Sequence, residues 1–168
     1  MIYTCKHYKL HELVYPELYN EYNKKGLLYL LWGILDSKSL MIADKIWEYL
    51  NARSFSKVSV IINNWKWGGN FRYSGLRPFD CPEGSKLSMH KYGKANDLKW
   101  NDLGGPEALR EYMKSIGCFE PGFRQRKDSE ALPFVDITRI EWIDNMSWFH
   151  YDTSNGGNAD GSIRIVGA

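Results

Sequence analysis

Ile137-Thr138-Arg139-Ile140-Glu141-Trp142-Ile143, then Asp144-Asn145-Met146-Ser147, then Trp148-Phe149-His150-Tyr151-Asp152-Thr153 is the stretch on which the fold reading turns. Two runs rich in β-branched and aromatic residues flank a polar, turn-forming segment, which is the pattern of an antiparallel hairpin. A loop symmetric about Asn145 and Met146 pairs Ile143 with Trp148, Trp142 with Phe149 and Glu141 with His150. Residues directly opposite one another point to the same face, with Cβ atoms about 5 Å apart. The hairpin therefore predicts a carboxylate beside an imidazole.

Outward from the hairpin, the glycine-rich stretch 155–161 predicts a loop, and 162–166 a last short strand. Upstream, the β-branched run 57–63 predicts a buried strand that ends before the long loop 65–84, punctuated by Gly68, Gly69, Gly75, Pro78 and Pro82. Loops of that length in a compact domain are usually functional. The N-terminal third reads as helical. Leu10, Leu13, Val14 and Leu18 share a helical spacing, and Leu40, Ala43, Ile46, Trp47 and Leu50 follow Asp36 as a plausible N-cap. Residues 107–116 return to helical periodicity, with Pro106 suited to the first turn and Gly117 to the end. Residues 117–133 read as irregular. The expected class is α+β, an antiparallel sheet with helices packed against it, in one domain over 1–168. Residues 1–55 form a helical N-terminal part and 56–168 the motif-bearing part.

A second segment joins the hairpin: Ser88-Met89-His90-Lys91-Tyr92-Gly93-Lys94-Ala95-Asn96-Asp97. A lone buried histidine is ordinarily a satisfied core residue. Here Gly93 between His90 and Asp97 permits the tight turn that brings both side chains to one point. His150 arrives from a remote strand. Two imidazoles and a carboxylate are good donors to a zinc ion, and a catalytic zinc site takes three protein ligands and leaves a fourth position open. His90, Asp97 and His150 fill the three places. The remaining histidines, His7 and His11, are four apart, but Tyr15 stands where a His-Glu-x-x-His helix needs its second histidine, so they read as structural.

Ser74-Gly75-Leu76-Arg77, Ser88-x-His90-x-x-Gly93-x-Ala95-x-Asp97 and Trp148-x-His150-x-Asp152, in that order, resemble the zinc D-alanyl-D-alanine peptidase family. That family includes D,D-carboxypeptidases, D-Ala-D-Ala dipeptidases and phage endolysins that cut the L-Ala-D-Glu bond of peptidoglycan. The resemblance spans Ser74 to Asp152. It implies a fold related to the Hedgehog signalling domain and zinc bound by His90, Asp97 and His150. It also implies a role for Arg77 in holding or polarising the substrate carbonyl, and for Ser88 in bonding the substrate peptide. Asp152, on the same strand face as His150, becomes a candidate partner for a ligand imidazole. Many members carry the catalytic carboxylate three residues before the last histidine ligand, where this chain has Ser147. Glu141 is the replacement that the hairpin register supplies, with Asp144 in reserve.

Composition narrows the function further. Lys and Arg number 22 against 20 Asp and Glu, and a net charge of +2 carries no footprint of a nucleic-acid binder. Cys5, Cys81 and Cys118 are odd in number and widely spaced, which argues against a disulfide framework or a thiolate metal site. The longest apolar run, from Leu27 to Leu35, falls far short of the roughly 20 residues that span a bilayer, so no transmembrane segment is expected. The first residues lack a signal-peptide stretch. Aromatic residues at 15% read first as core, with a peptide or sugar groove as the sharper alternative. The expectation is a peptidoglycan hydrolase of a phage or prophage, made in the cytoplasm and acting at the cell wall after release or on a virion. The alternative is a degenerate, zinc-binding relative that serves as a structural or peptidoglycan-binding part of a phage particle.

Overall fold

A computed structural model describes residues 2–167. Among these residues four α-helices, α1 (Leu10–Leu13), α2 (Pro16–Lys24), α3 (Ser37–Ala52) and α4 (Gly105–Ser115), surround four short strands. These are β1 (Ala95–Leu98), β2 (Arg139–Glu141), β3 (Phe149–Asp152) and β4 (Arg164–Val166), in the sheet order β1-β3-β2-β4. The class is α+β, as expected.

The sheet owes its two faces to strict alternation. On β3, Phe149 and Tyr151 are fully buried and face the core, while His150 and Asp152 face the other way into a cleft. Ile140 on β2 and Leu98 on β1 continue the core face. Helix α3 covers that face with Leu40, Ile42, Ala43, Ile46 and Leu50. Fully burying an aliphatic or aromatic side chain of this kind contributes about 1.5–3 kcal/mol. A polar seam between α3 and the sheet is satisfied: Asn96 Nδ2 donates to Ser39 Oγ at 2.9 Å and to Tyr151 Oη at 3.0 Å, and Tyr151 Oη donates to the Ser39 carbonyl at 2.6 Å. Asp36 caps α3, accepting from the Ser39 N–H at 2.9 Å.

Four expectations need correction. The helix suggested by Leu10 to Leu18 is two helices, because Pro16 cannot continue the first and instead starts α2 at its first turn. Residues 57–63 are not a strand of the sheet. Val58, Val60 and Ile62 alternate inward as a strand would, but only Ile61 makes a bridge, to Lys99. The neighbouring backbone groups are taken elsewhere: Asn51 bonds both the N–H and the carbonyl of Val58, and the Asn63 N–H donates to the Glu12 carbonyl.

The sheet is also not wholly antiparallel, since β4 runs parallel to β2, pairing Arg139 with Arg164 and Glu141 with Val166. Antiparallel pairing puts the end of β3 beside the start of β2, so loop 153–163 has only to cross that end to begin β4 there. The hairpin turn, finally, centres on Asp144 and Asn145, closed by the Met146 N–H on the Ile143 carbonyl, with Asn145 at φ +62°. The expected register survives, with Arg139 opposite Asp152 and Ile140 opposite Tyr151. Buried Arg110 explains the asymmetry. Its guanidinium takes the carbonyls of Met146 at 2.8 Å and Trp148 at 2.9 Å, which β2 therefore does not pair.

Candidate metal centre

Three elements deliver the three donors. His90 lies on a 3-10 turn, Met89–Tyr92, that closes on Gly93 at φ +66°. A Cβ on Gly93 would stand 2.8 Å from the Ile34 carbonyl oxygen, so only glycine fits where the chain doubles back to Asp97. Asp97 is on β1 and is paired in register with His150 on β3.

The donor atoms converge. His90 Nε2 is 3.2 Å from Asp97 Oδ1 and 3.2 Å from His150 Nδ1, and His150 Nδ1 is 2.7 Å from Asp97 Oδ1. A tetrahedral site with bonds of about 2.0–2.1 Å has donor–donor edges of about 3.3 Å. Two edges match and the third is slightly short. The tautomer of His90 is informative. Its Nδ1 lies 2.8 Å from the Gly75 carbonyl and must donate there, which leaves the Nε2 lone pair facing Asp97 Oδ1 across 3.2 Å. Two acceptors buried face to face need a cation or a proton between them. Gly75 itself is required, since a Cβ would meet the Leu13 carbonyl oxygen at 2.2 Å. His90, Asp97 and His150 together form a group able to hold a metal ion.

Electrostatics agree with close coupling. Burial raises the Asp97 carboxyl, but the two imidazoles outweigh it and hold the group well below its usual range. Burial lowers His90, against the pull of Asp97. For His150, burial is outweighed by Asp97, with help from Glu141 and Asp152, and the imidazole is raised. Lys99 is lowered to about 8 by burial; its Nζ donates to Ser74 Oγ at 2.6 Å.

The trio opens into a cleft of about 570 Å³. Its walls include Arg77, Glu83, Ser88, Arg139, Glu141, Trp148 and Asp152. Glu141 continues the cross-sheet row: Asp97 pairs with His150, and the β2–β3 register carried one residue further sets Glu141 opposite His150. No side-chain hydrogen bond holds Glu141 among the described residues.

Arg77 is in the cleft but not idle. Its Nη2 donates to Asp97 Oδ2 at 2.9 Å and its Nε donates to the Tyr73 carbonyl. It thus orients the carboxylate whose other oxygen faces the imidazoles, while its Nη1, without a hydrogen bond among the described residues, lies on the side of Gly84 and Ser88 Oγ. Ser88 precedes the turn that carries His90 and lines the cleft.

Asp152 does not reach an imidazole. Its Oδ2 accepts from Arg139 Nε at 2.8 Å and its Oδ1 from Thr138 Oγ1 and the Ser154 N–H, each at 3.0 Å. Asp144 is exposed in the turn and Ser147 is exposed; neither lines the cleft. Arg139 carries no motif of its own, although the register that sets Glu141 beside His150 also sets Arg139 beside Asp152. Glu83 in the loop has no local signal in the sequence to mark it.

No protein-family model, curated protein or solved structure matches this chain. Among the described residues no helix is long and apolar enough to cross a membrane.

Proposed function

We propose that the protein is a zinc-dependent peptidase that hydrolyses an amide bond of peptidoglycan stem peptides or cross-links. The observation that carries this is the meeting of His90, Asp97 and His150 in a cleft that Glu141 also lines, one residue beyond the Ile140–Tyr151 pair and without a side-chain hydrogen bond among the described residues. Two imidazoles and one carboxylate suit zinc, and three protein donors are the complement of a catalytic rather than a closed structural site. The motif resemblance to the zinc D-alanyl-D-alanine peptidases supplies the substrate class and the expectation of a Hedgehog-related fold.

Zinc, when bound, supplies a Lewis acid that polarises a carbonyl and acidifies water. The chain's own residues do the rest. Glu141, across the strand from His150, accepts the proton of the attacking water and passes it to the leaving amine. Free Nη1 of Arg77 donates to the oxygen on which charge develops, or anchors a substrate carboxylate. Ser88 Oγ bonds the peptide. The Gly75 carbonyl holds His90 in the tautomer that presents Nε2, and Arg77 Nη2 keeps Asp97 turned so that only Oδ1 faces the imidazoles. The motif resemblance supplies the setting as well, a phage lysin, released or virion-borne.

Digestion of purified peptidoglycan by the zinc-loaded protein, with mass spectrometry of the fragments, tests the reading and names the bond. Cleavage should disappear on chelation and return with zinc. Tight zinc binding without any cleavage would refute it and favour the structural or wall-binding role.

A further inference from the structure

Arg139 is the cleft's second guanidinium, and its setting differs from that of Arg77. It sits on β2, paired with Asp152, on the same face as the Glu141–His150 pair and one same-face step away along the strands. Such a step is about 6.8 Å. Nε and Nη2 of Arg139 both contact Asp152 Oδ2, at 2.8 and 2.6 Å, and Asp152 is itself buried and held by Thr138 and Ser154. The fork is therefore oriented before any ligand arrives, so binding costs little side-chain entropy. Its Nη1 makes no hydrogen bond among the described residues, and the side chain, 25% exposed, lines the cleft.

Charge then says where an anionic group of a bound peptide can rest. Among the described residues Glu83 and Glu141 are the cleft carboxylates without a cationic partner, and both repel an anion. Arg77 Nη1 stands at the metal trio, where the scissile carbonyl or a carboxylate beside it must lie. Arg139 is the guanidinium placed to meet an anion further along the strands. We propose that Arg139 is a specificity-determining residue that reads a substrate carboxylate held one same-face strand step along from the Glu141–His150 pair, an inference that rests on the peptidase reading above. That offset suits an acidic side chain next to the scissile bond or an α-carboxylate two residues beyond it.

The test uses one synthetic stem peptide in four forms: both carboxyls free, the side-chain carboxyl amidated, the C-terminal carboxyl amidated, and both amidated. Zinc-loaded wild type, Arg139→Gln and Arg139→Lys are compared in KM and kcat, with zinc content measured for each. Calorimetric binding of the same peptides to zinc-loaded Glu141→Gln, with and without Arg139→Gln, gives a second readout. A charge-assisted bond of this kind corresponds to about 10- to 100-fold. The expected result is a rise of that size in wild-type KM on amidating one of the two carboxyls, which identifies the source. Arg139→Gln should bind free and amidated peptides alike, and Arg139→Lys, which keeps the charge beside Asp152, should fall between. If wild type handles all four forms within about twofold, or Arg139→Gln keeps the preference, the inference is overturned. Failure of wild type to cleave any form refutes the peptidase reading instead, and the binding arm still decides on Arg139.

Discussion

Asp97 and His150 face each other across β1 and β3 with Oδ1 and Nδ1 2.7 Å apart, while Asp97 Oδ2 is held by Arg77. The sheet register thus places one carboxylate oxygen among two imidazole nitrogens and removes the other from competition. Replacing His90, Asp97 or His150 by Ala should each weaken zinc binding by more than the about 10–100-fold that loss of an outer partner costs. Competition with a chromophoric chelator measures this; unchanged affinity in any of the three would exclude that residue as a ligand.

The same pair makes metal-free stability depend on pH. His150 is raised above its ordinary 6.5, so its contribution is fully present below 6.5 and is lost as pH rises through the raised value. Asp97 is depressed below 3.8, so its contribution is present above 3.8 and is lost as pH falls through the lowered value. Urea unfolding of metal-free protein should show the pair's largest contribution between about pH 4 and 6.5, and His150→Ala should flatten it. Zinc needs deprotonated ligands, so its stabilisation should instead grow as pH rises.

Gly93→Ala should both destabilise and loosen the site. The residue has φ +66° and a Cβ would press on the Ile34 carbonyl at 2.8 Å. A cost of about 1–3 kcal/mol in thermal or urea unfolding is expected, together with weaker zinc binding, because the turn sets the spacing of His90 and Asp97.

Arg110→Met should destabilise by on the order of 3 kcal/mol, since it leaves the Met146 and Trp148 carbonyls without their donor and frees Glu107. Because those carbonyls lie on the approach to β3, activity should fall with stability. Denaturant midpoints alongside turnover check this.

The hairpin register and the meeting of His90, Asp97 and His150 were legible because both depend on local rules: a period of two along strands, and a glycine between two donors. What escaped depends on which of several possible partners takes each polar group. The β-branched run 57–63 has strand chemistry, but Asn51 and Glu12 take backbone groups that a ladder would need. Arg110 reads as one more charged helix residue, yet it is buried and sets the shape of the hairpin loop. Asp152 reads as a partner for an imidazole, yet Arg139, opposite it on the next strand, holds it instead.

The most direct measurement is zinc content and peptidoglycan-fragment release, side by side, for wild type and Glu141→Gln. The expected result is equal zinc in both and turnover reduced about 10²- to 10⁴-fold in the variant, the range for loss of a general acid–base group. Full activity in Glu141→Gln would contradict the assignment of the proton shuttle, and wild-type protein that holds zinc without releasing fragments would contradict the peptidase itself.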